Sequence, residues 1–184
     1  MRTSYRLVLC IAGMAVVTAA GCGGPSRSIE APQTAPIAMV PLHVEFLISR
    51  QTDSGPNARC AYVEVGYSAA GDWPGIGQAI ASGSHCITKG VRPYLPAYDG
   101  HAIVTTPGGD TLHVSYGLTD QSAPPPLQLT TGTFVISGGA GWFGRSTGDG
   151  AITVKVDKGK NPWIASVVLD GRINGSLAQA NPHP

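Results

Sequence analysis

The residues with the clearest chemical pattern lie in the glycine-rich segment Gly139–Ser146. This segment contains G-x-G-x-x-G and also fits a phosphate-binding loop, with Arg145 in place of the usual lysine. Both motifs bind phosphate at the N-terminus of a helix that follows the loop. Here the strand-like Ala151–Val156 follows, which leaves no room for a helix. We therefore interpret the segment as a tight corner closed by Trp142 and Phe143, and we expect no nucleotide site.

Two carboxylates on predicted strands, Glu45 and Glu64, are weak candidates for a general acid and base. Each alternates with valines, Val44 and Val65, so we expect solvent exposure. If the mixed polar face instead lined the interior, the two carboxylates would lie inside the barrel. The sequence does not fix the strand register that decides between these arrangements.

Histidines and serines provide no recognisable catalytic or metal motif. Four histidines lie in or beside predicted strands without the short spacing of zinc ligands: His43, His85, His101 and His113. Ser84 and His85 are adjacent, but neighbours in a strand point to opposite faces, so they are not expected to form a dyad. We expect no metal and no cofactor.

The N-terminus has the features of an export signal. Arg2 and Arg6 precede Leu7–Ala20, an uncharged apolar run shorter than the roughly 20 residues of a membrane span. The run ends in Ala-Ala-Gly-Cys22, which resembles the lipobox of bacterial lipoproteins, with Ala19 where that family prefers a branched residue. The resemblance implies removal of residues 1–21 and lipidation of Cys22, for example with palmitate. The alternative is an ordinary signal peptide that leaves Cys22 as a free thiol.

Of the four cysteines, two remain once the signal and the lipid site are assigned. Cys10 belongs to the signal and Cys22 to the anchor, which leaves Cys60 and Cys86. An oxidising compartment favours a disulfide between them. A metal pair is the alternative, but no C-x-x-C spacing supports it.

Composition divides the remaining chain into a tether, a domain and a tail. Residues 22–41 are rich in Gly, Pro and Ser and predict a flexible tether, residues 42–174 a single domain, and residues 175–184 a C-terminal tail. Removal of residues 1–21 takes two of the 12 basic residues and none of the 11 acidic ones, so acids then exceed bases by one. This balance gives no electrostatic basis for nucleic-acid binding.

Short segments of alternating polarity recur throughout the domain. Leu42–Ser49 shows the pattern most clearly, with Leu42, Val44 and Phe46 on one face and His43 and Glu45 on the other. About eight such segments, with no amphipathic helix, predict an all-β fold. We expect a closed antiparallel barrel, with a β-sandwich as the alternative.

The segment Phe134–Gly150 resembles the Gly-Gly-Thr-Gly-x-Phe-x-x-Ala-x-Gly signature of the allene oxide cyclase-like and dirigent-like barrel proteins. Ala140 and Ser146 depart from it, and Gly109–Leu112 is similar to the preceding hairpin of bacterial members. The resemblance covers roughly Leu42–Ile173 and implies an eight-stranded antiparallel barrel. It does not imply cyclase activity, because the catalytic residues of the plant enzymes have no match here. The matching positions are Gly138, Gly139, Gly141, Phe143 and Gly148.

These features together predict an exported, non-enzymatic barrel in the bacterial cell envelope, held to a membrane by its lipid. We expect its interior to bind a small apolar ligand. One alternative is an isomerase or cyclase that acts on a hydrophobic substrate through Glu45 and Glu64. Another is a protein-interaction module that uses exposed Trp73 or Trp163. The sequence specifies no oligomeric state.

Overall fold

The structure is a computed structural model that describes residues 38–89, 96–122, 126–162 and 164–174. The predicted signal peptide 1–21, Cys22 and the predicted tail lie outside the described residues. The described part contains one 3-10 turn, Gly141–Phe143, and eight strands. The strands are β1 (Met39–Ser54), β2 (Val63–Trp73), β3 (Gly77–Ile87), β4 (Ala97–Thr105), β5 (Thr111–Ser122), β6 (Leu127–Ala140), β7 (Gly148–Asp157) and β8 (Ile164–Asn174).

The eight strands form one closed barrel. Each strand pairs antiparallel with the next, and β8 closes the barrel on β1 through a register that begins at Met39 and Asn174. Closure leaves no strand edge unpaired, which is valuable in a chain with few charged residues to protect an edge. The predicted all-β barrel is therefore confirmed over the sandwich alternative. β1 begins at Met39, inside the segment predicted as tether.

Alternating polarity determines which face of each strand lines the barrel. On β1, Leu42, Val44 and Phe46 are buried, whereas His43 and Glu45 are exposed. Because side chains alternate between the faces of a strand, the apolar set of every strand faces inward. The mixed polar face of β1 therefore does not line the interior.

The half of the barrel nearest the start of β1, which we call the closed end, is packed with large side chains. Phe143 on the 3-10 turn is 1% exposed, and its ring stacks on Trp73 with centroids 5.6 Å apart. Trp142 is 56% exposed, so only Phe143 of the expected pair closes the barrel. Trp73 is 4% exposed and cannot be the exposed anchor considered from the sequence. Trp163 lies outside the described residues. Other fully buried side chains here are Phe46, Phe134, Leu42, Leu112, Ile136 and Ile173.

The glycine-rich corner connects β6 to β7 without an α-helix. The 3-10 turn is three residues long, and β7 follows at Gly148, so the segment has no helix N-terminus to bind phosphate. Gly141 has a φ of +62°, and a Cβ there would overlap the Asp110 carboxylate. At Gly139, a Cβ would overlap the backbone carbonyl of Thr111 on β5. The glycines therefore allow β6 and the 3-10 turn to pack tightly on the β4–β5 turn and the start of β5.

We predict that Gly139→Val either prevents folding or lowers the free energy of unfolding by about 3 kcal/mol or more. The added side chain would overlap backbone atoms of β5, so no side-chain movement can relieve the clash. Gly144→Ala is the matched control. Its φ is −54°, and a Cβ there would lie 3.4 Å from the nearest atom. The control should stay within about 1 kcal/mol of the parent. Thermal denaturation followed by circular dichroism measures both, and a Gly139→Val protein that melts like the parent would contradict this account of the corner.

Candidate functional site

The half of the barrel away from the closed end contains a cavity of about 220 Å³, toward the end where β1 finishes and β2 starts. We call this end of the barrel the mouth. Inward positions here carry smaller residues, such as Ala97, Ala165 and Thr130, in place of the phenylalanines of the closed end. An eight-stranded barrel is just wide enough to be filled by side chains or to hold one small ligand. Most of the wall is aliphatic and includes Val65, Ile87, Leu118, Ile152, Val154 and Val167.

Three polar side chains from three strands form the floor of this cavity, and we call them the interior trio. They are Tyr67 on β2, His85 on β3 and Tyr116 on β5. Nδ1 of His85 lies 2.9 Å from the Tyr116 hydroxyl, and the ring of Tyr67 lies beside that of His85 with centroids 6.2 Å apart. Both tyrosines also border a void of about 20 Å³ on the side that faces the closed end. The trio therefore separates the cavity from the core.

Burial keeps the interior trio uncharged. It lowers the pKa of His85 to about 4, and the positive charge of Arg59 acts in the same direction. Burial also raises the pKa values of Tyr67 and Tyr116 above that of a free tyrosine. At neutral pH the trio is thus a neutral imidazole between neutral phenols.

The trio leaves hydrogen-bonding capacity for a ligand, most clearly at His85. Nδ1 of His85 is engaged by Tyr116, whereas Nε2 has no hydrogen-bond partner among the residues that the structure describes. A neutral imidazole donates from one nitrogen and accepts at the other, and the bond at Nδ1 sets which role Nε2 takes. The floor can therefore bind a hydroxyl or a carbonyl group inside an otherwise apolar cavity.

The two carboxylates considered for acid–base chemistry do not meet. Both lie on the outer wall, Glu45 opposite Asp72 and Glu64 opposite Ser54 in the β1–β2 register. Glu64 is therefore level with Ser54, which is nine residues along β1 from Glu45. At the rise per residue of a strand, this separates the two carboxylate positions by roughly 25–30 Å. The two carboxylates therefore lie on the outer face, as expected, and too far apart to act together as an acid and a base.

Glu64 belongs to a cluster on the outer wall that the sequence did not reveal. The Ser84 hydroxyl donates to Glu64 at 2.8 Å, and the Glu64 carboxylate lies 3.0 Å from the Arg59 guanidinium. Arg59 also donates to Ser84 at 2.9 Å and lies 2.8 Å from Nδ1 of His101. Hydrogen bonds from Ser84 and Asn57 hold the pKa of Glu64 below its usual value.

This outer cluster stabilises a loop and is not arranged as a nucleophile. Ser84 and His85 point to opposite faces, as expected, and Ser84 instead neighbours His101 across the β3–β4 register. Its hydroxyl lies 3.4 Å from Nε2 of His101, farther than from Glu64, so its proton is directed to the carboxylate. Arg59, at the centre of the cluster, fastens the β1–β2 loop to the outer wall.

The same loop is fastened a second time by the predicted disulfide, which is confirmed. Cys60 in the loop bonds Cys86 on β3, with Cα atoms 5.2 Å apart and both residues fully buried. Closing 26 residues in this way stabilises the folded state by roughly 3.5 kcal/mol on the chain-entropy model. The β1–β2 loop is therefore held to the outer wall at two points.

The described ranges contain no group of three His, Cys, Asp or Glu side chains that could hold a metal ion. They also contain no helix long and apolar enough to cross a membrane. Comparison with protein-family models, with curated proteins and with solved structures finds no match to this chain.

The depressed pKa of His85 predicts a specific pH dependence of stability. Between about pH 6.5 and pH 4 the unfolded chain binds a proton that the folded protein does not, so the free energy of unfolding falls as pH falls through this window. His85→Gln keeps a polar side chain but removes the titration. The parent should lose roughly 2–3 kcal/mol more than the variant between pH 7 and pH 4.5. Urea denaturation across the window measures this difference, and parallel curves for the two proteins would show that His85 titrates normally.

Proposed function

We propose that this protein binds a small, largely apolar molecule with one neutral polar group inside its barrel. The observation that carries the proposal is the coincidence of a 220 Å³ apolar cavity with a single set of polar side chains at its floor. Ligand sites have this character, with apolar walls and a few convergent polar groups that fix orientation.

The size of the cavity limits the ligand. An apolar cavity of about 150 Å³ is enough to bind benzene. The present cavity is larger, so it suits a body of roughly ten non-hydrogen atoms, and a longer chain would extend toward the mouth.

The floor of the cavity selects a neutral polar group. Nε2 of His85 can bond a hydroxyl or a carbonyl without any change in the charge of the interior trio. A carboxylate or ammonium group at this depth would lose its hydration without gaining an opposite charge, which is costly. A second polar group is better placed at the mouth, where Gln51, Gln128 and Lys158 line the cavity.

The other functions considered from the sequence have less support. The isomerase or cyclase reading depended on Glu45 and Glu64, which lie on the outer wall and far apart. The interaction hypothesis relied on Trp73 or Trp163 being exposed; Trp73 is buried, and Trp163 lies outside the described residues. No observation in the described residues favours either function over ligand binding.

We also propose that the barrel is exported and attached to an envelope membrane through a lipid on Cys22. The Cys60–Cys86 disulfide supports an oxidising compartment. The position of β1, which starts at Met39, leaves a Gly/Pro/Ser-rich segment between Cys22 and the barrel. The eight-stranded barrel and its glycine corner likewise support membership of the allene oxide cyclase-like and dirigent-like group, which we offer as a proposal.

Binding can be tested by calorimetric titration of the purified protein with straight-chain 1-alkanols of increasing length. Each added methylene should improve the binding free energy by about 0.8 kcal/mol until the cavity is full, after which the gain should diminish. The corresponding alkanes should bind more weakly, because they leave His85 Nε2 without a partner, and His85→Leu, which removes Nε2, should reduce the difference between alkanols and alkanes.

A matched pair of variants separates cavity binding from adhesion to the surface. Ala165→Phe places a ring in the cavity, whereas Ala151→Phe places the same ring on the exposed outer face of β7. Alkanol binding should be lost in the first and retained in the second. Equal binding by both variants, or no binding by the parent, would exclude the cavity as the ligand site.

The lipid anchor is tested by labelling cells that express the full chain with a palmitate analogue. Labelling and membrane association should both disappear in Cys22→Ser, because the thiol is the predicted attachment point. Cys10→Ser should label like the parent, since Cys10 lies in the predicted signal. Labelling that persists in Cys22→Ser would contradict the anchor.

A further inference from the structure

We propose that the closed end of the barrel carries a second binding site, for a carbohydrate. A groove of about 460 Å³ lies between the β2–β3 turn and the β4–β5 turn, with Trp142 along one side. Its volume is within the 300–1,000 Å³ range of small-molecule sites. The groove is at the end opposite the mouth, so this inference does not depend on the ligand proposed for the interior.

Trp142 is held in place although it is exposed. Its neighbour Phe143 plugs the barrel, and its own backbone N–H donates to Oδ1 of Asp110 at 3.2 Å. Gly141 makes this contact possible, because any side chain there would overlap the Asp110 carboxylate. An exposed tryptophan on a fixed backbone presents a large flat apolar surface at little entropic cost.

Two polar side chains lie beside this surface with hydrogen-bonding capacity that remains unused. Oδ2 of Asp110 accepts no hydrogen bond from the part of the chain that the structure describes. Thr106 lines the groove and is 7% exposed, and its hydroxyl has no hydrogen-bond partner within the described ranges. A buried hydroxyl without a partner costs stability, so its presence in the wall of a groove indicates a function in binding.

Gly108 leaves the Asp110 carboxylate uncovered. A Cβ at Gly108 would lie 3.5 Å from Asp110 Oδ2 and 3.8 Å from Thr106 Oγ1, which is ordinary contact distance. Its φ is not in the left-handed region, so the backbone does not require glycine at this position. The absence of a side chain therefore keeps open the space above the carboxylate. The Thr106 oxygen has no exposed surface, so a ligand reaches it only when that side chain turns toward the groove.

The combination of groups selects the ligand class. A sugar ring has an apolar face of C–H groups that stacks on an indole, and equatorial hydroxyls that donate to a carboxylate and exchange hydrogen bonds with a threonine. An organic ammonium ion is the nearest alternative, but its recognition typically uses a cage of several aromatic rings, and among its described lining residues this groove has one. The geometry therefore points to a neutral saccharide.

The site can be tested by recording amide NMR spectra of the full chain during titration with glucose, mannose and N-acetylglucosamine oligosaccharides of two to four units. At least one series should bind, with shifts centred on Trp142, Asp110 and Gly108. Trp142→Ala should weaken binding at least tenfold. Tyr62→Ala, which removes an exposed aromatic residue at the mouth, should leave it unchanged.

Thr106→Val and Gly108→Ala separate a role in binding from a structural role. Both should weaken saccharide binding severalfold, while the melting temperature of Thr106→Val should equal or exceed that of the parent, because the variant removes a buried hydroxyl without a partner. Choline chloride serves as the ammonium probe. Binding of choline in place of every saccharide, binding unaffected by Trp142→Ala, or no shifts at millimolar saccharide would each overturn the proposal.

Discussion

Closure of eight strands into a barrel limits how much side-chain volume its interior can hold, and the two halves of this barrel use that volume differently. In the closed half, three phenylalanines and several leucines and isoleucines fill the space. In the half near the mouth, alanine, valine and threonine occupy the equivalent inward positions and leave about 220 Å³ empty. One half thus supplies most of the hydrophobic stabilisation, and that stability allows the other half to remain hollow.

The division between inner and outer wall also decides the chemistry of the polar residues. His85 faces inward, where burial keeps it neutral beside Tyr116. Ser84, its neighbour in sequence, faces outward and joins Arg59 and Glu64 in a cluster that fastens a loop. A change of one position in strand register would exchange these environments, so the register established by closure is a precondition for the interior trio.

Much of the fold could be predicted because local patterns specify it. The alternation of Leu42, Val44 and Phe46 with His43 and Glu45 defined the inner face of β1, and the glycine corner was recognisable from the absence of a following helix. The disulfide followed from the assignment of the other two cysteines. The exposure of Trp142 and the burial of Phe143 were not distinguished, because that difference depends on where Trp73 and Asp110 lie in the folded barrel.

The candidate sites were harder to predict because each combines residues distant in sequence. The interior trio comes from three different strands. The sequence did contain a signal for it, because each member lies an even number of positions from a buried residue of its own strand and so shares its inward face. These buried residues are Val65, Ala81 and Val114. Pairing of Ser84 with His101 required the β3–β4 register, which no local pattern provides.

The central claim is that the half near the mouth is a ligand cavity and the closed half is packed core. Methyl NMR of protein labelled at leucine, isoleucine and valine, titrated with a 1-alkanol, tests it most directly. The account predicts shifts and intermolecular contacts at Val65, Leu118 and Val154, with Leu42, Ile136 and Ile173 unaffected. Shifts spread evenly over both sets, or confined to the outer wall, would contradict it.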